Sequence, residues 1–176
     1  METVAPIDSK EDHDAELLQP VPAADLRDAM SRFLTGVTIV TTRGLDGLPY
    51  GLTVNSFNSV SLDPPLVLWS LDLRHDKAEL FRRSGGFTVN IMAGDSTDLI
   101  RRFAASDAER FTNTDWHQGR IGQPILDSAL ASMECRLWAE YPGGDHVIFV
   151  GEVIDIRTRD GQPAAYYKGH LSAFPS

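Results

Sequence analysis

The sequence predicts a mainly β protein with few helices, folded as an antiparallel barrel or sandwich. Short segments rich in β-branched and aromatic residues recur along the chain, and turn sequences containing glycine, proline or aspartate separate them. Only a few stretches show the helical spacing of apolar residues, so strands do not alternate with helices as in βαβ units. We therefore expect neighbouring strands to pair as hairpins and to form a closed antiparallel barrel.

The first 22 residues differ in composition from the rest of the chain. They carry six acidic side chains against Lys10 alone, so −5 of the total net charge of −9 belongs to this segment. Prolines at positions 6, 20 and 22 oppose regular structure there. We interpret residues 1–22 as a disordered acidic tail and residues 23–176 as one folded domain.

A helix is predicted at the start of the folded domain. Leu26, Met30 and Phe33 recur at helical spacing within residues 23–34, and Gly36 suits the C-terminal cap of such a helix. The following run, 37–43, is rich in β-branched side chains and predicts the first long strand.

Turn sequences separate the strands that follow. The Gly44-Leu45-Asp46-Gly47 sequence predicts a hairpin turn, after which residues 50–56 return as a strand. We expect further strands at residues 59–62, 66–71, 87–92, 131–141, 146–157 and 164–167, and helices at 76–83, capped by Asp76, and at 96–105. Residues 110–124 are predicted to be irregular.

The composition argues against several classes of protein. A net charge of −9 disfavours nucleic acid, whose phosphates require a basic surface. No apolar run is long enough to cross a bilayer, and the N-terminus lacks the features of a secretory signal. The single cysteine, Cys135, lies in a largely apolar run and is expected in the core, which fits a cytoplasmic protein. The five histidines show no metal-binding spacing, so no metal site is predicted.

The segment from Gly51 to Leu71 contains the most informative chemistry. It reads GLTVNSFNSVSLDPPLVLWSL, with small, hydroxyl and amide side chains where an ordinary strand would repeat large apolar ones. Such a segment is suited to place backbone N–H and C=O groups along a flat heterocycle, while its hydroxyls reach an anionic tail. Because the whole chain is acidic, an anionic cofactor needs a local group of basic residues such as Arg74 and Lys77.

Together with the run GDHVIFVGEV at residues 144–153, this segment resembles the flavin reductase-like family, in particular the short reductases of two-component flavin monooxygenases. The resemblance extends from about residue 26 to the C-terminus. It implies an FMN-binding split barrel, which is a closed Greek-key-type barrel, and a homodimer with flavin sites near the subunit interface.

The same resemblance implies an NAD(P)H:flavin oxidoreductase that reduces FMN, or FAD, by hydride transfer from NADH or NADPH. The reduced flavin would diffuse to a partner flavin-dependent monooxygenase or halogenase. No glycine-rich dinucleotide fingerprint is present, so the nicotinamide would be held transiently on the flavin face. FMN is our preferred flavin.

The resemblance also assigns roles to individual residues. His146 would position the hydride donor and act as the catalytic residue, and its place at a hairpin turn suits a barrel rim. The predicted cofactor-binding residues are Thr53, Val54, Asn55 and Ser56 at the ring, Ser59 and Ser61 at the ribityl chain or phosphate, Ser70 and Leu71, Arg74, Asp76 and Lys77 at the phosphate end, Phe103, Ala104 and Arg110 in a second contact region, and Tyr166 and Tyr167 at the nicotinamide. Strand alternation predicts that Ser59 and Ser61 share one face, and the start of the 76–83 helix would direct N–H groups at the phosphate.

Plainer interpretations remain open for several of these residues. Ser59 and Ser61 also fit an ordinary edge strand, His146 fits a turn histidine that bonds its own loop, and Phe103 fits the core face of a helix. Lys77 departs from the serine or threonine that the family often has nearby. Two alternative functions are a flavin-binding protein without nicotinamide turnover and an oxidase of the pyridoxamine-phosphate type.

Overall fold

A computed structural model describes residues 19–75, 77–105 and 109–174. The helices are α1 (Ala23–Ser31), α2 (Ala78–Ser84) and α3 (Thr97–Ala104). The strands are β1 (Thr35–Gly36), β2 (Thr38–Arg43), β3 (Pro49–Val54), β4 (Asn58–Leu62), β5 (Pro65–Asp72), β6 (Gly86–Met92), β7 (Trp116–Gln118), β8 (Pro124–Leu126), β9 (Ala129–Gly143), β10 (His146–Thr158), β11 (Ala164–Tyr167) and β12 (His170–Ala173). The expected mainly β architecture is confirmed.

Seven antiparallel strands form the main sheet, in the order β3-β2-β6-β9-β10-β5-β4. Strands β9 and β10 make its long central hairpin, with His146 paired to Gly143 across the turn. A second sheet has the order β1-β11-β12, and β7 pairs with β8. Strands β3 and β4 are the edges of the main sheet, and no ladder joins them within the described residues, so closure of the barrel remains a prediction.

Strand β2 of the main sheet is buried on both faces, which explains why it is a nearly continuous run of β-branched residues. Val40 belongs to an aromatic cluster on one face, where the Trp69 ring stacks on Phe149 at 5.0 Å between centroids. Ile39, its neighbour, belongs to a second cluster, which contains Phe103 of α3. Cys135 lies in the first cluster, as expected, and burial raises the pKa of its thiol to about 12.

The helix predictions are only partly correct. The predicted 96–105 helix is confirmed as α3, whereas α1 ends at Ser31, and its C-terminal cap is Arg32 in a right-handed conformation. The expected cap, Gly36, instead belongs to β1. None of the residues of α1 is buried, so the apolar residues whose spacing predicts this helix do not pack into the core of the single chain.

The predicted irregular segment contains two short strands, β7 and β8, held by buried polar side chains. Asn90 Oδ1 accepts a hydrogen bond from the Leu126 N–H at 3.0 Å. The fully buried Glu134 carboxylate accepts from the backbone N–H groups of Arg120 and Ile121, each at 2.9 Å. Buried hydrogen bonds therefore hold these two strands in place, and the segment lacks the periodic apolar residues from which a strand is predicted.

Candidate functional site

A cavity of about 440 Å³ lies where the end of β3, helix α3 and the β11–β12 hairpin meet. Five predicted cofactor-binding residues line it: Thr53, Val54, Asn55, Ala104 and Tyr166. The other lining residues are Val37, Ile100, Arg101, Gly169, His170 and Leu171. Residues from three distant parts of the sequence therefore form one site.

The predicted ring segment begins where the β2–β3 ladder ends. The last residue pair of the ladder is Thr38 with Val54, whose carbonyl also accepts a bond from the Thr38 hydroxyl at 3.0 Å. The exposed residues Asn55 and Ser56 lie beyond the ladder. Their backbone polar groups are consequently outside the sheet pairing, as contact with a polar ring edge requires.

Thr53 has a second role that the sequence does not reveal. Its hydroxyl donates to the Ile100 carbonyl at 2.7 Å and so fastens β3 to α3. The Thr53 hydroxyl proton is therefore used within the protein, and a ligand meets this residue through its backbone or as an acceptor.

Helix α3 packs closely on β3 because position 51 has no side chain. A Cβ atom on Gly51 would lie 2.8 Å from Phe103 Cε1. Phe103 is fully buried in the second cluster, so its side chain is in the core, in agreement with the plainer interpretation. Its neighbour Ala104 is exposed and lines the cavity.

Arg110 is 9% exposed and uses its guanidinium to join protein segments. It donates to the Gly51 carbonyl at 2.7 Å, to the Tyr50 hydroxyl at 2.8 Å and to the Ala105 carbonyl through two nitrogens. The guanidinium carbon also lies 5.3 Å from the centroid of the Tyr50 ring. Arg110 thus positions the segment after α3 on β3, next to the cavity.

The predicted residues of β4 and β5 are arranged differently from expectation. Ser59 and Ser61 pair with Val67 and Leu66, which are successive residues of β5, because an irregularity at Val60 shifts the register. Successive strand residues face opposite sides of a sheet, so the prediction that these serines share one face is wrong.

Ser70 and Leu71 occupy different environments. The Ser70 backbone N–H donates to the Ser56 hydroxyl at 3.0 Å, and that hydroxyl donates back to the Ser70 carbonyl at 3.2 Å. This reciprocal pair holds the ring segment against β5. Leu71 is in the core, where its side chain is withdrawn from any ligand.

The predicted phosphate end contains a tight ion pair. Arg74 donates both side-chain and backbone hydrogen bonds to the Asp72 carboxylate. These bonds hold the pKa of Asp72 well below its usual range. Helix α2 begins at Ala78 with Lys77 as its N-cap residue, so the predicted anion site at its start remains a prediction. Asp76 lies outside the described residues.

His146 lies away from the main cavity. It lines a separate cavity of about 180 Å³ with residues of β9 and α2, among them Tyr141 and Arg82. Its Nδ1 atom is 2.6 Å from Asp145 Oδ1, so it bonds its own turn. Tyr167 is exposed beside the Lys168 ammonium and does not line the main cavity.

The sequence prediction missed Arg101 and His170, which bring basic groups to the main cavity. Arg101 lies two residues before Phe103 and His170 three residues after Tyr167, but neither belongs to a recognisable motif. Within the described ranges no cluster of three potential metal-ligating side chains is present. None of the described helices is long and apolar enough to span a membrane.

Comparison with known proteins identifies the family. Residues 30–175 match the sequence profile described as "Flavin reductase like domain". The chain belongs to the flavin reductase-like family. This membership covers α3, β11 and the whole of the main sheet, and therefore every wall of the cavity.

Two relatives in the flavin reductase-like family match this chain over most of both lengths. The chain is 40% identical over 148 residues to an FMN reductase (NADH) of Agrobacterium fabrum, covering 84% of each protein. It is 37% identical over 158 residues to the reductase component of a Rhodococcus opacus 4-nitrophenol monooxygenase, covering 90% of this chain and 84% of the relative.

A solved structure of the same family agrees with the fold. The NADH:FAD oxidoreductase of Streptomyces globisporus, crystallised with NAD and FAD fragments, superimposes with a TM-score of 0.83 at 35% identity. The match covers 92% of this chain and 98% of that one.

Proposed function

We propose that this protein is an NAD(P)H:flavin oxidoreductase that reduces FMN or FAD and supplies the reduced flavin to a separate flavin-dependent monooxygenase or halogenase. The observation that carries this proposal is the cavity where Asn55, Ala104 and Tyr166 meet beside the end of the β2–β3 ladder. The named activities of its relatives support the same reaction.

The residues at this site fit a flavin. The backbone of Asn55 and Ser56 offers donors and acceptors for the polar edge of the ring, and the ring requires a flat apolar wall such as Val54 and Ala104 provide. A flavin bound there would accept the hydride and carry the electrons onward. We assign Arg74 and Lys77 to the phosphate side, together with either Ser59 or Ser61, because the two serines face opposite sides of β4.

The chain's role in the reaction is binding and orientation. Hydride transfer needs a donor carbon held about 3–3.5 Å from its acceptor, and it needs no strong acid or base. The aromatic ring of Tyr166 lies on the cavity wall, where it is suited to stack on a nicotinamide. His146 lies outside this cavity, so its proposed positioning role depends on groups brought near it by assembly.

We further propose a split barrel that assembles as a homodimer in the cytoplasm. Leu26, Met30 and Phe33 of the α1 region are each more than half exposed, and adjacent Leu34 is also exposed. A second copy of this chain is the occupant that the family resemblance implies for this surface. Sedimentation equilibrium of the parent and of Phe33→Asp tests the proposal, since a monomeric parent contradicts it.

The activity is tested by mixing purified protein with FMN and NADH under anaerobic conditions. Loss of the visible flavin absorbance at a rate proportional to protein concentration is the expected result. If flavin remains bound and NADH fails to bleach it, the protein is a flavin-binding module and the reductase proposal is wrong. Activity on pyridoxamine phosphate would instead favour the oxidase.

A variant at Asn55 tests the location of the site. Asn55→Leu removes a polar side chain from the cavity, and we expect the KM for FMN to rise about tenfold. Gln118→Leu, an exposed amide on β7 outside the cavity, is the matched control. An unchanged flavin KM in Asn55→Leu would remove the ring segment from the site.

A further inference from the structure

Two basic residues from different elements line the main cavity. Arg101 lies on α3, and His170 is the first residue of β12. No motif assigns a role to either residue. Because the chain has a net charge of −9, basic groups gathered at one cavity create a local environment that differs in sign from the rest of the protein.

Neither side chain is committed to the structure of the protein. Among the described residues, Arg101 forms an ion pair with Asp98, with Nη1 and Oδ1 3.9 Å apart, and both side chains are largely exposed. Such a pair is weak and readily exchanged for another anion. The side chain of His170 makes no hydrogen bond or ion pair within the described residues, although each neutral tautomer of its ring has one N–H donor.

The adjacent arginine shows what a structural role looks like on the same helix. Arg102 donates from Nη1 to the Thr112 carbonyl at 2.9 Å and to the Thr114 hydroxyl at 3.2 Å. It thereby ties α3 to the segment before β7. Arg101 makes no such side-chain hydrogen bond to any part of the chain that the structure describes, and it lines the cavity.

We propose that Arg101 and His170 form a phosphate-binding subsite at the rim of the cavity. The inference rests on the proposed reductase function. The phosphoryl group is that of the pyridine nucleotide, because the residues assigned to the flavin phosphate lie on β4 and after β5, outside this cavity. The guanidinium of Arg101 and an imidazole N–H of His170 would contact the diphosphate while the nicotinamide lies beside Tyr166.

The test compares hydride donors with and without phosphate. The variants are Arg101→Gln and His170→Gln, and the matched control is Arg136→Gln, an arginine on β9 with similar exposure and a carboxylate partner. Each is assayed with NADH and with 1-benzyl-1,4-dihydronicotinamide, which lacks phosphate. We expect kcat/KM for NADH to fall about tenfold in Arg101→Gln through KM, while the phosphate-free donor changes less than about twofold.

A second arm replaces FMN by riboflavin, which also lacks phosphate. If the penalty disappears with riboflavin and persists with the phosphate-free donor, the subsite binds the flavin phosphate, and the assignment to the pyridine nucleotide is wrong. Equal losses with every donor and acceptor, or no loss at all, overturn the subsite itself. His170→Arg is expected to keep the affinity for NADH that His170→Gln loses.

A binding measurement separates this inference from the reductase proposal. NAD⁺ is titrated into the parent and into Arg101→Gln by calorimetry, with no turnover required. Weaker binding by the variant supports the subsite even if neither protein reduces flavin. Equal affinity in the two proteins, or absence of binding to the parent, overturns it. Thermal unfolding of each variant checks that the substitution of these exposed residues leaves the fold intact.

Discussion

Replacing Gly51 by alanine tests the contact that sets the distance between α3 and β3. The added methyl group would lie 2.8 Å from Phe103 Cε1 and 2.9 Å from Thr41 Cγ2. Both neighbours are fully buried, and Phe103 has no space to rotate away, so the helix or the strand must shift. Overpacking of this kind costs about 1–3 kcal/mol, which for a chain of this size lowers Tm by roughly 2–12 °C.

The control is Gly36→Ala, where an added Cβ meets no atom within 4 Å. Circular dichroism melting of both variants measures the difference. Combining Gly51→Ala with Phe103→Leu removes the ring atom that clashes, so the two substitutions should cost less together than the sum of their separate effects. If Gly51→Ala and Gly36→Ala have the same Tm, the close approach of α3 to β3 is wrong.

Three further outcomes are expected. The low pKa of Asp72 means that its ion pair stabilises the folded protein at pH values above the ordinary carboxyl pKa of about 4, and that this contribution is lost as the pH falls toward the lower folded pKa. The free energies of unfolding of the parent and of Asp72→Asn, measured in urea at low salt, should therefore converge in acid. A difference between them that does not depend on pH would contradict this. Because burial raises the pKa of Cys135 to about 12, iodoacetamide should label this residue only after denaturation, as measured by mass spectrometry. Labelling of the native protein in mildly alkaline buffer would disprove that burial. His146→Ala should raise the KM for NADH and leave the KM for FMN unchanged, whereas parent-like NADH oxidation would exclude a role for His146 in the reaction.

Local patterns in the sequence predict the long strands well because each is determined by its own residues. Strand β2 is buried on both faces and is therefore a continuous β-branched run, and the β9–β10 hairpin has its turn at Gly144. Strands β7 and β8 could not be predicted in this way. Their positions depend on Asn90 and Glu134, whose hydrogen-bond partners lie far away in sequence.

Residues of the candidate site can be predicted from the sequence only where they belong to a recognisable motif. The GLTVNSF sequence directs attention to Thr53–Asn55 because small and polar residues at a strand end are unusual, and these residues line the cavity. The register shift at Val60 could not be predicted, since no glycine or proline marks it. The family resemblance predicts Arg110 as a cofactor contact, but only the coordinates show that its donors are used on two backbone carbonyls and the Tyr50 hydroxyl.

The separation of the β1–β11–β12 sheet from the main sheet has a consequence for amide hydrogen exchange. One cavity wall belongs to the small β1–β11–β12 sheet, whose four-residue strands are held by fewer bonds than the main sheet. Short ladders of this kind open by local fluctuation, while the central hairpin exchanges only through global unfolding. Occupancy of the cavity should therefore slow deuterium uptake at residues 164–173 selectively, and so report ligand binding in a protein that is not turning over.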